Sequence, residues 1–126
     1  MNIPKDLYYT KSHEWLKIDK KEVTIGITDY AQKELGDIVF IEIDKFGENI
    51  TSGQTFGTIE AVKTVSDLYL PITGKLIKMN DNLQNKPELI NQSPYEDGWI
   101  IKVKPEESID LNLLLNYSSY NELIDL

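Results

Sequence analysis

Turn residues recur roughly every 8–12 positions through the first hundred residues, and the runs between them are short and rich in β-branched and aromatic side chains. That spacing leaves no room for long helices and points to a compact sandwich or barrel of antiparallel strands. Strands are expected at His13–Ile18, Glu22–Gly26, Asp37–Ile43, Gln54–Val62, Thr64–Leu70, Lys75–Met79 and Trp99–Val103. In Asp37–Ile43, alternation puts Val39, Ile41 and Ile43 on one face and Ile38 and Phe40 on the other, so both faces should be covered. One helix is expected at Asp29–Leu35, with Thr28 or Asp29 as its cap, Gln32 three residues after Asp29, and Gly36 as its left-handed stop. Asn80 to Asn85 reads as a polar stretch, and Pro87–Ile90 as one helical turn. In the tail, Leu111, Leu114 and Leu115, then Tyr120, Leu123 and Ile124, recur at helical spacing. Two short helices packed on the sheet are expected there.

The 126 residues fit one domain, 1–126, and no second one. Charge excludes several functions. The thirteen basic residues are all lysine, the acidic ones number twenty-one, and the net charge is −8. Nucleic-acid binding needs a basic face for phosphates, so none is expected. Without cysteine there is no thiolate nucleophile and no cysteine-ligated metal. The lone His13 excludes a His-rich metal site and, beside Trp15, is expected to be structural. Trp15 and Trp99 are assigned to core or edge packing. No apolar run approaches the roughly twenty residues that span a bilayer, and Met1–Asp6 shows no targeting pattern. A cytoplasmic protein that touches no membrane is expected, and the absence of any catalytic constellation makes an enzyme a poor reading.

The informative segment is Gly57-Thr58-Ile59-Glu60-Ala61-Val62-Lys63-Thr64-Val65-Ser66-Asp67. It sets Lys63 between two β-type runs with no glycine or proline at the tip. A lysine amine in water stays protonated to about pH 10, so it is a weak nucleophile alone but accessible to another enzyme. That favours modification of Lys63 over self-catalysis.

This segment resembles the attachment hairpin of lipoyl and biotinyl carrier domains. A biotin carrier would normally flank the lysine with methionines, where Val62 and Thr64 stand here. The wider resemblance is to the glycine cleavage H-protein family. It is carried by Tyr9-Thr10-Lys11-Ser12-His13-Glu14-Trp15, by Val23–Gln32, by Leu35-Gly36-Asp37-Ile38-Val39-Phe40 and by Val65–Tyr69. Pro71-Ile72-Thr73-Gly74, Asn91-Gln92-Ser93-Pro94-Tyr95 and Asp97-Gly98-Trp99 continue it in order. The likeness runs from about Leu7 to Tyr120. Ala61 stands where the family commonly has serine, Thr64 where it often has alanine, and the 19–21 turn lacks the usual glycine.

The resemblance implies a mainly β, lipoyl-domain-like barrel-sandwich hybrid with short flanking helices, including a helical C-terminus. It implies lipoic acid in amide linkage on Lys63, and a non-catalytic carrier. Such a carrier takes the aminomethyl group of glycine from the P protein (glycine decarboxylase) to the T protein (aminomethyltransferase). The L protein, dihydrolipoamide dehydrogenase, then reoxidises it. A lipoate ligase or octanoyltransferase would load Lys63. Ser12, Glu14 and Asp67 are implied to dock the loaded arm, and Glu60 to orient the hairpin or be read by the ligase. A monomer is expected. Two other readings stand beside this one. One is an H-like protein relaying lipoate to other lipoyl domains; the other is a non-lipoylated interaction module that keeps the fold.

Overall fold

The computed structural model describes residues 1–125 of the chain. Among them, nine strands form two antiparallel sheets that face each other across one apolar core. The larger sheet contains β1 (Tyr8–Tyr9), β2 (Glu14–Ile18), β3 (Val23–Ile27), β9 (Ile101–Pro105), β8 (Gly74–Met79) and β5 (Asn49–Ile50), in that spatial order. The smaller sheet is β4 (Ile38–Ile43), β6 (Thr55–Ala61) and β7 (Val65–Tyr69). Leu16, Ile25, Leu76 and Val103 from the first sheet meet Ile41, Ile59 and Leu68 from the second, all buried. This is the expected barrel-sandwich hybrid, and the apolar side chains that the strands turn between the two sheets create it.

The expected helix is present as α1 (Asp29–Leu35). Thr28 caps it by accepting the Ala31 N–H, and Gly36 stops it at φ 82°, a conformation that a side chain would strain. Two further short helices, α2 (Asn82–Asn85) and α3 (Leu89–Gln92), precede β9. The sequence pattern treats the first as irregular, but burial of Leu83 organises it. The helical turn expected at Pro87–Ile90 is present, closed by the Ile90 N–H donating to the Pro87 carbonyl at 3.1 Å, and it runs on into α3. Asn91 justifies its motif mechanically. Its side chain accepts the Ile38 N–H at 3.0 Å and donates to Gln32 and to the Gly36 carbonyl, so it clips α3 to α1 and β4.

Three expectations on strands need correction. Val39 and Phe40 are both exposed, because a bulge between Ile38 and Phe40 shifts the alternation by one residue. The strand expected from Trp99 begins at Ile101, since the Asn80 amide donates to the carbonyls of Asp97 and Trp99 and holds that segment off the ladder. The strand expected from His13 begins at Glu14, for a reason that bears on the site.

The tail forms a 3₁₀ turn (Leu111–Leu113) and α4 (Tyr117–Ile124), capped by Asp110 and Asn116. Leu111 and Leu123 stay exposed, so only part of the leucine pattern packs. The tail is held by Leu115, which exchanges two 2.8 Å backbone hydrogen bonds with Tyr9, and by Tyr120. The Tyr120 ring stacks on Tyr9, centroids 4.6 Å apart, in a second apolar cluster with Leu7 and Trp15.

Candidate functional site

Lys63 lies at the tip of the β6–β7 hairpin. Ala61 N–H donates to the Thr64 carbonyl at 2.8 Å, which leaves Val62 and Lys63 as the turn. Neither has positive φ, so the tip needs no glycine. The Val62 N–H donates to the Asp37 carbonyl at 3.1 Å, fastening the tip to the approach of β4. Among the described residues, the Lys63 side chain has no ion pair or hydrogen bond, and it is exposed. A fixed backbone therefore displays a free primary amine.

A cleft of about 290 Å³ runs beside the edge strand β7. Ser12, His13, Glu14, Tyr30, Glu34 and Asp67 line it, together with apolar side chains, and no lysine does. The structure thus brings three of the expected residues, Ser12, Glu14 and Asp67, to one place. Glu60 is elsewhere, exposed on the outer face of the small sheet, and Lys63 stands at the hairpin tip.

Glu14 is the unusual member. Only 4% exposed, it accepts hydrogen bonds on one carboxylate oxygen from Thr10 Oγ1 at 2.6 Å and Ser12 Oγ at 2.8 Å. Burial pushes its pKa up, and the two hydroxyls pull it part of the way back. Thr10 was not singled out from sequence, although it also accepts the Glu14 N–H at 3.1 Å and so fixes the carboxyl from two sides.

His13 is what turns Glu14 inward. Its φ of 71° is the only left-handed value at a non-glycine residue among those described. The His13 N–H donates to the Thr10 carbonyl at 3.1 Å, and its own carbonyl accepts the Thr28 N–H at 3.0 Å, closing a tight turn before β2. The ring packs on Tyr30 with centroids 4.8 Å apart. Nδ1 lies 2.9 Å from the Tyr120 hydroxyl, which lies 2.7 Å from Thr28 Oγ1. Burial lowers the His13 pKa, against an opposing pull from Glu34, and so favours the neutral ring. Expected as a structural histidine, His13 does brace the fold, and it also forms part of the cleft wall. No sequence signal marks a left-handed histidine or its pairing with a tyrosine 107 positions away.

A lowered pKa means that the unfolded chain binds this proton more readily. Stability should therefore rise with pH between the folded value and 6.5, and fall on acidification through that window. Asn tolerates the same φ. His13→Asn should thus fold and show a smaller loss of denaturation free energy between pH 7.5 and 5.5 than the unaltered chain. An equal loss in both would remove His13 as the titrating group.

Comparison with known proteins places this geometry. The family described as glycine cleavage H-protein matches residues 7–125. A glycine cleavage system H protein of Listeria monocytogenes serotype 4a is 50% identical over 125 residues, covering 99% of this chain and all of that one. The Listeria innocua protein of the same name is 49% identical over the same length. A crystal structure of a glycine cleavage system H protein from Mycobacterium marinum superposes with a TM-score of 0.90 at 35% identity, covering 98% of this chain and 100% of the other. The chain belongs to the glycine cleavage H-protein family and serves as a lipoyl carrier in the glycine cleavage system.

Proposed function

We propose that Lys63 is the residue that carries lipoate, in amide linkage, and that the chain as one domain, 1–126, is a cytoplasmic carrier with no catalytic activity of its own. The observation that carries this reading is the exposed Lys63 amine, unpaired among the described residues, on a tip whose hydrogen bonds come from backbone alone. A primary amine so placed fits an acyl group, and the turn keeps its bonds when that amine is acylated. When bound, lipoate supplies a disulfide–dithiol pair to a chain that has no cysteine.

The chain's own task is presentation and protection. Tethering keeps the reacting group at high effective concentration for whichever enzyme is engaged. Those enzymes would be the P protein, the T protein and the L protein in turn, with a lipoate ligase or octanoyltransferase acting once to load Lys63. Ser12, Glu14 and Asp67 would receive a cationic amine in the cleft. There, an arriving cation would offset the desolvation that burial imposes on Glu14 and draw its carboxyl into the ionised form. Glu60, outside the cleft, would act at the hairpin itself.

Reconstitution tests the assignment. With P protein, glycine and carbon-labelled bicarbonate, the lipoylated chain should support exchange of label into the carboxyl of glycine, and the unloaded chain should not. Loading without exchange would instead favour relay of lipoate to other lipoyl domains.

A further inference from the structure

The outer face of the small sheet carries apolar side chains beside Lys63 that none of the described residues covers. Phe40 is in register with Glu60, and Glu60 with Val65, so the three side chains lie abreast on one face. Phe40 is 44% exposed, Val65 63%, and Val62 at the tip 71%. The bulge in β4 creates the strip by turning Val39 outward together with Phe40. Bulges of this kind re-aim side chains next to functional sites. In the next outward row Thr58 stands between the carboxylates of Glu42 and Asp67, Asp67 being on the edge strand where this face meets the cleft, and Glu60 sits between the two apolar members of the first row.

We propose that this face docks the enzyme that acylates Lys63, and that this enzyme meets it with an apolar patch edged by lysine or arginine. The proposal rests on the reading of Lys63 as the lipoylated residue. Acylation is the step in which the lysine nitrogen itself reacts. Nζ loses its proton to a base and attacks the acyl carbon of an activated lipoate. The N–C bond forms as the bond to the leaving group breaks, and nothing is oxidised or reduced. An enzyme that performs this step approaches Nζ to bonding distance. A lysine side chain spans only about 6 Å, so the neighbouring pleat is covered at the same time. Enzymes acting later meet the far end of the arm and have no such need of the sheet. An apolar centre with a charged rim is the usual anatomy of a specific interface, and the carboxylates here demand cations opposite them.

The test is the initial rate of lipoylation by a lipoate ligase with lipoate and ATP, read by intact mass over a range of carrier concentrations. Phe40→Ser should raise KM roughly tenfold, the loss expected for one large apolar contact, while kcat stays close to that of the unaltered chain. Val65→Thr, which keeps shape and strand preference, should act in the same direction more weakly. Added salt should raise the KM of the unaltered chain. Reaction of Lys63 with a small water-soluble acyl ester should be equal in all variants, which separates docking from amine reactivity. Unchanged KM in both variants overturns the docking face and leaves Lys63 as the carrier lysine. So does a fall in kcat at constant KM. A salt-independent KM overturns the basic rim. An unaltered chain that gains no mass overturns the Lys63 reading together with the docking face.

Discussion

Lys63→Arg is expected to gain no mass with lipoate ligase, lipoate and ATP, while the unaltered chain gains one lipoyl increment. Arginine preserves the positive charge and the length of the side chain, but its guanidinium stays protonated and does not form the amide. Because Lys63 is exposed and unpaired among the described residues, the substitution should alter stability by no more than about 0.5 kcal/mol. Loss of loading therefore cannot be traced to loss of the fold. Acylation removes one positive charge, taking the formal net charge from −8 to −9, so native electrophoresis gives a second readout. Exchange of labelled bicarbonate into glycine should fall to background in the same variant. A mass increment that survives Lys63→Arg would move the attachment to another of the chain's lysines. Exchange that survives without any increment would favour the interaction-module reading.

The reach of sequence reasoning here follows the range of the forces involved. Alternation and turn chemistry are local, so most strands and the helix at Asp29–Leu35, with its Thr28 cap and Gly36 stop, were legible. The tip lysine was legible because its signal is also local, two β runs with one lysine between them. What escaped depends on partners distant in sequence. The bulge at Val39 is invisible because each residue in it suits a strand, and only pairing with β6 reveals the extra one. The two-residue β1 is too short to show alternation, and its pairing with β2 and Leu115 makes it a strand. In the cleft, no local pattern marks Glu14 as an inward residue. The left-handed His13, braced by Tyr120 from the far end of the chain, turns it inward. Only the family resemblance groups Ser12, Glu14 and Asp67 in the sequence, since no spacing rule links 12 and 14 to 67.

Gly57→Ala should be the most damaging conservative change in the strand that delivers Lys63. Gly57 lies in the central strand β6, paired with Ile43 on one side and Leu68 on the other, at a bulge. A Cβ there would overlap the backbone carbonyl oxygen of Glu42 and come within 3.1 Å of Ile43 Cδ1. The main obstacle is paired backbone and not the flexible end of a side chain, so relief requires β4 to move off β6. Overpacking of this kind costs about 3 kcal/mol, a large share of the roughly 5–15 kcal/mol that holds a domain together. For a domain of this size that lowers Tm by about 10 °C. Gly36→Ala is the internal comparison. Its Cβ would meet nothing within 4 Å, so only backbone strain remains; at φ 82° and ψ −160°, a region nearly reserved for glycine, that costs about 2 kcal/mol. Thermal denaturation of both variants should therefore rank Gly57→Ala a few degrees below Gly36→Ala. Equal losses would mean that β4 yields readily and that the small sheet is not the rigid mount for Lys63 inferred from its close packing.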